Sequence, residues 1–272
     1  MLAPDPLAGT VPQVLISTAT AATLTAFAPV VVHDAQERHP LTGVHGSRPV
    51  LYARASPADD GGTWFQYWLY YDYQDQDRGI VRTGRHEGDW ELAQYRVDEN
   101  DRLVEAVYGQ HSGAERCHTG GMRFWGGGRP IVYAAHGSHA SYFEPGTRDR
   151  LWPDPNDEAD GLGDIAMPDV VEITRTSPPW MRDPHPWGSS RASKLVPPEQ
   201  DSPLGPAFQP TRWDANAFAA GARECQVDCN AVGRCDAPEK AMTAGGLFAL
   251  AALVLLTLRR ARRRRPPGGA TA

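Results

Sequence analysis

No stretch between Thr25 and Pro210 repeats its apolar residues at 3.6-residue spacing for long, which excludes a helical bundle for the bulk of this 272-residue chain. No G-x-S-x-G occurs, so the nucleophile elbow of a serine hydrolase is missing. Ser138 and Ser141 adjoin His136 and His139, but a hydroxyl next to a histidine in sequence does not make a nucleophile–base pair. Cys117 and His118 are sequence neighbours, and on a strand they would point to opposite faces. Gly126-Gly127-Gly128 has no following Lys-Ser/Thr and is not a phosphate loop. No internal repeat is visible.

Basic charge is scarce outside one place. The formal net charge is -6, yet six arginines crowd between Arg259 and Arg265, leaving the remainder more acidic still. That balance excludes nucleic acid as a partner of the main domain. The arginines directly follow Ala241 to Leu258, an uncharged apolar span that at about 1.5 Å per residue covers most of a ~30 Å hydrocarbon core. A single transmembrane helix is expected there, with 259–272 as a cytoplasmic basic tail and the folded domain outside the cytoplasm, at the cell membrane or surface. Met1 to Phe27 has no basic n-region and carries Asp5, so it is no signal peptide; the true start is expected upstream of Met1.

Cysteine is also sparse: Cys117 stands alone, and Cys225, Cys229 and Cys235 crowd ahead of the span. In an exported chain these four allow two disulfides with three connectivities. A zinc site, without C-x-x-C spacing or an accompanying histidine, and use of one cysteine in tail processing or lipid attachment are the alternatives.

What the chain does have is strand periodicity. Val30 to His33, Trp64 to Tyr73, Asp89 to Val97, Leu103 to Gln110, Ile131 to His136 and Val170 to Thr174 read as strands, punctuated by Asp98-Glu99-Asn100-Asp101 and by Gly126 to Gly128. In Trp64 to Tyr73 both alternating sets are apolar, which predicts a central strand. Prolines around Pro178-Pro179, Pro184 to Trp187 and Pro203 to Pro206 forbid regular ladders; those segments are expected to wrap the sheets, pinned by Trp180, Trp187 and Trp213. The expected organisation is an N-terminal segment 1–24, an all-β domain 25–214 folded as an antiparallel β-sandwich of jelly-roll type, a cysteine-containing stalk 215–240, and the membrane helix.

The chemistry concentrates in His86-Glu87-Gly88-Asp89-Trp90-Glu91. Residues two apart on a strand share a face, so Asp89 and Glu91 point together, and the flexible Gly88 lets His86 fold over to meet them. Like charges on neighbouring same-face positions repel unless a cation or a basic side chain lies between them. One imidazole and two carboxylates suit a divalent cation, Ca, Mg, Mn or Zn. Asp72, Asp75 and Asp77 precede the motif and are candidates for a further carboxylate. Trp90 and Leu92 face the other way, so one face is expected to pack and the other to bind. His136 and His139 follow in His136-Gly137-Ser138-His139 as ligands, as hydrogen-bond partners of ligands, or as structural histidines at a strand end.

Arg85 to Glu91 resembles the G-H-R-H-D-W-E signature of the necrosis- and ethylene-inducing peptide-like cytolysins, matching its His, Asp, Trp and Glu but not its second His. Ala135 to Tyr142 is similar to that family's A-H-G-G-Y. The fuller resemblance is to the vacuolar protein sorting-associated protein 62 family, on Phe27 to Val31 with Glu37 and Pro40, Tyr67 to Tyr71, His86 to Glu91, His136 to Tyr142, Trp187-Gly188, Gly205-Pro206 and Trp213. It covers Thr25 to Asp214. These resemblances imply a β-sandwich and, for the cytolysins, a divalent cation used in attacking membranes. The C-terminal tail resembles the MYXO-CTERM type of bacterial surface-sorting signal. Two functions are therefore expected in competition: a surface-anchored, metal-holding module that binds a glycan, lipid headgroup or protein, or a metal-dependent hydrolase of an ester or phosphodiester.

Overall fold

A computed structural model describes residues 19–76, 84–126, 128–150, 154–188, 202–214, 221–227 and 234–236. It opens with a short helix, α1 (Ala19–Ala26), and a buried strand, β1 (Val30–His33). Five strands then run as an antiparallel meander: β2 (Val50–Pro57), β3 (Thr63–Gln74), β4 (His86–Val97), β5 (Leu103–Gln110) and β6 (Gly113–His118). Short strands follow, β7 (Phe124–Trp125), β8 (Arg129–Ala134), β9 (Ser141–Tyr142), β10 (Gly146–Asp149), β11 (Asp157–Ala159), β12 (Ile165–Ala166) and β13 (Asp169–Glu172). The described chain closes with a one-turn helix, α2 (Pro210–Trp213), β14 (Arg223–Glu224) and β15 (Arg234–Asp236).

The strand positions expected from periodicity are borne out, and the chain is mostly β. The topology differs from a jelly roll. The large sheet is ordered β13-β2-β3-β4-β5-β6-β14, a meander with a parallel strand added at each edge. The second sheet, β12-β1-β8-β7 with β9 on β8, pairs β1 and β8 in parallel. A third, small sheet is ordered β11-β10-β15.

β3 and β4 are central because both of their faces are buried. On the inner face Leu51, Tyr67, Leu69, Tyr71, Tyr95 and Tyr108 meet Val31, Val132 and Ala134 of the second sheet in one core. On the outer face Tyr52, Trp68, Trp90 and Leu92 are roofed by Ile173, Met181 and Trp213, with Trp180 and Trp187 packed alongside. The proline-rich segments thus wrap the large sheet as their composition implied, and aromatic edges hold them, Trp90 lying 5.4 Å from Trp187 and 5.8 Å from Trp180. Trp90 and Leu92 pack as expected, and the opposite face of β4 is also covered by the second sheet along much of its length, with Asp89 and Glu91 at its cavity-lined end.

The stalk expected at 215–240 is in part integrated into the fold. β14 pairs with β6, and β15 with β10. A disulfide, Cys117–Cys225, ties β6 to the segment behind β14, and no zinc site competes for those two thiols. The span Ala241 to Leu258 and the arginines after it lie outside the described residues; among the described residues no helix is long and apolar enough to cross a membrane.

The disulfide closes a loop of 108 residues, for which chain-entropy arguments give about 4–5 kcal/mol. Replacing Cys225 by Ala is expected to lower the melting temperature markedly in a thermal scan and to release β14 to proteolysis, while the far side of the large sheet stays protected in hydrogen exchange.

Candidate functional site

β4 is longer than its neighbour. Its ladder with β5 runs from Val97 back to Ala93, and the half from His86 to Leu92 is paired with β3 alone. Next to this open half lies a polar cavity of about 410 Å³. Asp89 and Glu91 enter it from the inner face of β4, as the two-residue period requires. Gly88 takes a left-handed backbone (φ 64°), which interrupts the alternation and turns His86 into the same cavity. A side chain at position 88 is also forbidden by contact, since its Cβ would lie 2.6 Å from the Trp187 carbonyl oxygen. The wrapping segment adds the opposite wall with Pro203, Leu204, Gln209 and Arg212.

The carboxylates are not solvated: Asp89 is 7% and Glu91 4% exposed. Burial alone would raise Asp89, but its hydrogen bond to His139 Nδ1 at 2.9 Å and the imidazolium charge outweigh that and hold the carboxyl below its ordinary value. Glu91 is pushed well above its ordinary value by burial and by the charge of Asp89. Its Oε2 is buried without a hydrogen-bond partner. The two carboxyls are thus driven in opposite directions, Asp89 toward its ionised and Glu91 toward its protonated form, the usual tendency of close like charges.

Two protein cations flank this pair. His139 is fully buried, its ring stacked on Tyr71 at 3.9 Å, with Nδ1 on Asp89 and Nε2 3.7 Å from Glu37 Oε1. Burial disfavours its charge, yet the hydrogen bond to Asp89 and the nearby negative charge of Glu37 raise its pKa to about 9. Arg212, on α2, donates from Nη1 to the Trp90 carbonyl at 3.0 Å and from Nη2 to the His111 carbonyl at 2.6 Å. It therefore bridges the gap where the β4–β5 ladder stops, and its charge favours ionisation of both carboxyls.

His86 donates Nδ1–H to the Gly88 carbonyl at 3.0 Å, which leaves Nε2 as a lone-pair donor in the neutral ring, the arrangement common for metal-binding histidine. Gln74, opposite His86 in the β3–β4 register, presents a buried Oε1 that has no partner. The donor types fit a hard divalent cation: two carboxylates, an amide oxygen and one imidazole. As placed, they surround a cavity rather than a point; among the described residues no three His, Cys, Asp or Glu side chains converge to hold a metal ion.

The other candidate residues fall in different places, His139 as a hydrogen-bond partner of Asp89, one of the roles open to it. His136 does not line the cavity; it is half-buried, its N–H donates to the Glu158 carbonyl, and its Nε2 is buried without a partner. His139, with both ring nitrogens turned to carboxylates, serves as their counter-ion and has no lone pair to offer while charged. Asp72 pairs with His39 at 3.2 Å, and the Asp75 backbone is tied to Gly137 and Arg85. Asp77 lies outside the described residues. Among the described residues, Gln74 is the one from this upstream stretch that lines the cavity.

Sequence reasoning also missed His111 and Arg212. His111 lies at the β5–β6 turn with φ 46°, lines the cavity, and bonds Asp157 Oδ2 through Nε2 at 2.8 Å. Asp157 is fully buried; its charge is held by His111, by the Tyr142 hydroxyl at 2.6 Å and by Ser138 Oγ at 2.7 Å. Ser138 therefore donates to a carboxylate, with no histidine drawing its proton. The unusual turn conformation of His111 leaves no local mark in sequence, and Arg212 lies far along the chain in a proline-rich strap.

No curated protein sequence matches this chain. Among solved structures it is similar to one described as "Toxin fold for microbial attack and plant defense" (14% identity, 57% of this chain and 74% of that one, TM-score 0.39). It is also similar to "NLPPya in complex with glucosamine" (15%, 60% and 78%, TM-score 0.39). A third is the Necrosis and Ethylene inducing Protein 2 from the causal agent of cocoa's Witches Broom disease (12%, 55% and 72%, TM-score 0.36). Residues 74–150, the stretch that holds His86, Asp89, Glu91, His111 and His139, match the family model of vacuolar protein sorting-associated protein 62.

Proposed function

We propose that this chain is a binding module whose cavity takes a hydroxyl-rich ligand, a glycan or lipid headgroup, with a divalent cation held by His86, Asp89 and Glu91. The observation that carries the reading is Glu91: a buried carboxyl with an unpartnered oxygen, beside an ionised one, in a polar cavity at an open strand edge. When bound, the cation would supply Lewis acidity and coordination for ligand oxygens. His86 would contribute Nε2, fixed by its bond to Gly88, and Gln74 is positioned to add an amide oxygen. Arg212 and His111 complete a lining able to donate to and accept from hydroxyl groups. The span Ala241 to Leu258 with Arg259 to Arg265 would hold the module at the outer face of a membrane.

A metal-dependent hydrolase is the second reading. It is favoured by the split ionisation of Asp89 and Glu91, which gives one base and one acid in the same cavity. Assays of the full chain on ester, phosphodiester and glycoside panels, with and without chelator, separate the two readings: turnover that chelator abolishes would replace binding by hydrolysis.

Four outcomes are expected. Glu91→Gln resembles the protonated side chain already present without metal, so its melting temperature in chelator should match or exceed wild type. The rise in melting temperature that Ca²⁺ or Mn²⁺ gives the wild type should then be lost; an equal rise in both proteins would remove Glu91 from the site. Asp89→Asn, by contrast, should lower stability even without metal, because Asp89 is a buried partner of His139.

The third outcome concerns pH in the cation-free protein. His139 has a folded value of about 9 against an ordinary 6.5, so its contribution is fully present below about pH 6.5 and is lost as pH rises through about 9. At ~1.4 kcal/mol per unit this amounts to about 3 kcal/mol. Thermal scans in chelator from pH 6 to 10 should show that decline, and His139→Asn should flatten it. Deleting everything after Cys235 is expected to move the protein from the membrane to the soluble fraction.

A further inference from the structure

Glu37 belongs to the sequence pattern but touches neither the cavity at β4 nor any of its lining side chains other than through one intermediary. It lies in the loop after β1, and its side chain is 3% exposed. Three backbone N–H groups fix the carboxylate: Arg38 at 2.8 Å and His39 at 2.7 Å on Oε1, and Gly137 at 2.8 Å on Oε2. Such a group cannot swing. His139 lies between this anchor and Asp89, Nε2 3.7 Å from Glu37 and Nδ1 2.9 Å from Asp89. Its plane is set by the Tyr71 ring, parallel to within 3°, and Tyr71 is the cross-strand partner of Asp89. The turn that delivers His139 has two left-handed residues, Gly137 (φ 68°) and His139 itself (φ 57°), and Glu37 caps that turn at Gly137.

We infer that Glu37 is a positioning residue for the cavity, holding His139, and through it Asp89, in a fixed orientation. The inference rests on the binding reading above. A carboxylate anchored by three N–H groups sets where the imidazole must lie, and the imidazole then occupies Asp89 Oδ2, leaving Oδ1 as the oxygen available to an occupant. His139 thus does for Asp89 what the Gly88 carbonyl does for His86, and Glu37 holds His139 from the far side. Groups bonded directly to a ligating side chain, as His139 is to Asp89, typically change metal affinity about 10- to 100-fold when lost, and Glu37, one step further out, is expected at the low end of that range.

The test uses the full chain with Glu37→Gln, which keeps shape but removes the charge facing His139 and, having one acceptor oxygen instead of two, cannot keep all three backbone contacts, and Asp34→Asn as a control. Asp34 lies in the same loop and accepts from the Gln36 and Asp160 N–H groups, without a path to Asp89. Calorimetric titration with Mn²⁺ and Ca²⁺ should give about tenfold weaker binding for Glu37→Gln and unchanged affinity for Asp34→Asn, even where both melt lower. The second readout is the downfield ring N–H proton of His139 in NMR spectra of the cation-free protein, expected to shift in Glu37→Gln and to stay in Asp34→Asn. If Glu37→Gln does not fold, Glu37→Asp, which withdraws the carboxylate from His139, is read the same way and should fall between. Wild-type affinity in Glu37→Gln, or an unmoved His139 proton, overturns the inference. Absence of cation binding by the wild type, together with a shifted His139 proton, would overturn the metal reading and leave the positioning chain standing.

Discussion

Two carboxyls on neighbouring same-face positions of a central strand, both buried, constrain everything around them. In water such a pair costs little, but at the effective dielectric of a protein interior mutual repulsion and desolvation each reach several kcal/mol. The fold answers from three directions. A turn with two left-handed residues brings His139 beneath Asp89, a proline-framed strap brings Arg212 across the end of β5, and Glu91 gives up its charge. The cavity exists because the strand that carries the carboxyls is paired on only one side over that half of its length.

How much of this was legible in sequence follows from the range of each interaction. The strand from Trp64 to Tyr73 and its neighbours were readable because alternation is a property of adjacent residues. The same period placed Asp89 and Glu91 together correctly. It could not say which face of β4 would meet the second sheet, and the face expected to bind proved to be the inner one, buried apart from its cavity. Gly88 was read as a hinge for His86, and its positive φ does that work. His136 and His139 were indistinguishable in sequence. What separates them is that one ring stacks on Tyr71 between two carboxylates while the other stays at the strand end, a difference made by a turn conformation. His111, Gln74 and Arg212 became lining residues through register, ladder length and the path of the strap, none of which is local.

Composition misled in a different way after Asp214. Ala, Gly and Cys suggested a stalk, yet short strands there extend two sheets. Two-residue strands carry almost no periodic signal, and their edge position depends on a covalent constraint. Cys225 sits beside Cys117 with a Cα separation of 5.1 Å, which holds β14 against β6 where propensity alone would not. A cysteine cluster ahead of an apolar span therefore need not signal tail chemistry; here two of its members, Cys225 in its disulfide and Cys235 in β15, belong to the fold.

The arrangement of charges also limits what the cavity can accept. Any cation entering between Asp89 and Glu91 approaches Arg212 and His139 as well, so its binding energy is the attraction to the carboxyls less the repulsion from two resident cations and the cost of ionising Glu91. Arg212 cannot retreat cheaply, since its two carbonyl partners at Trp90 and His111 would be left unpaired at a ladder end. A ligand bringing hydroxyl groups along with the cation relieves part of that repulsion by accepting from the guanidinium. Cation and ligand are then expected to bind cooperatively rather than independently, each removing a cost the other would face alone, and the strap carrying Arg212 is the element through which that coupling is felt.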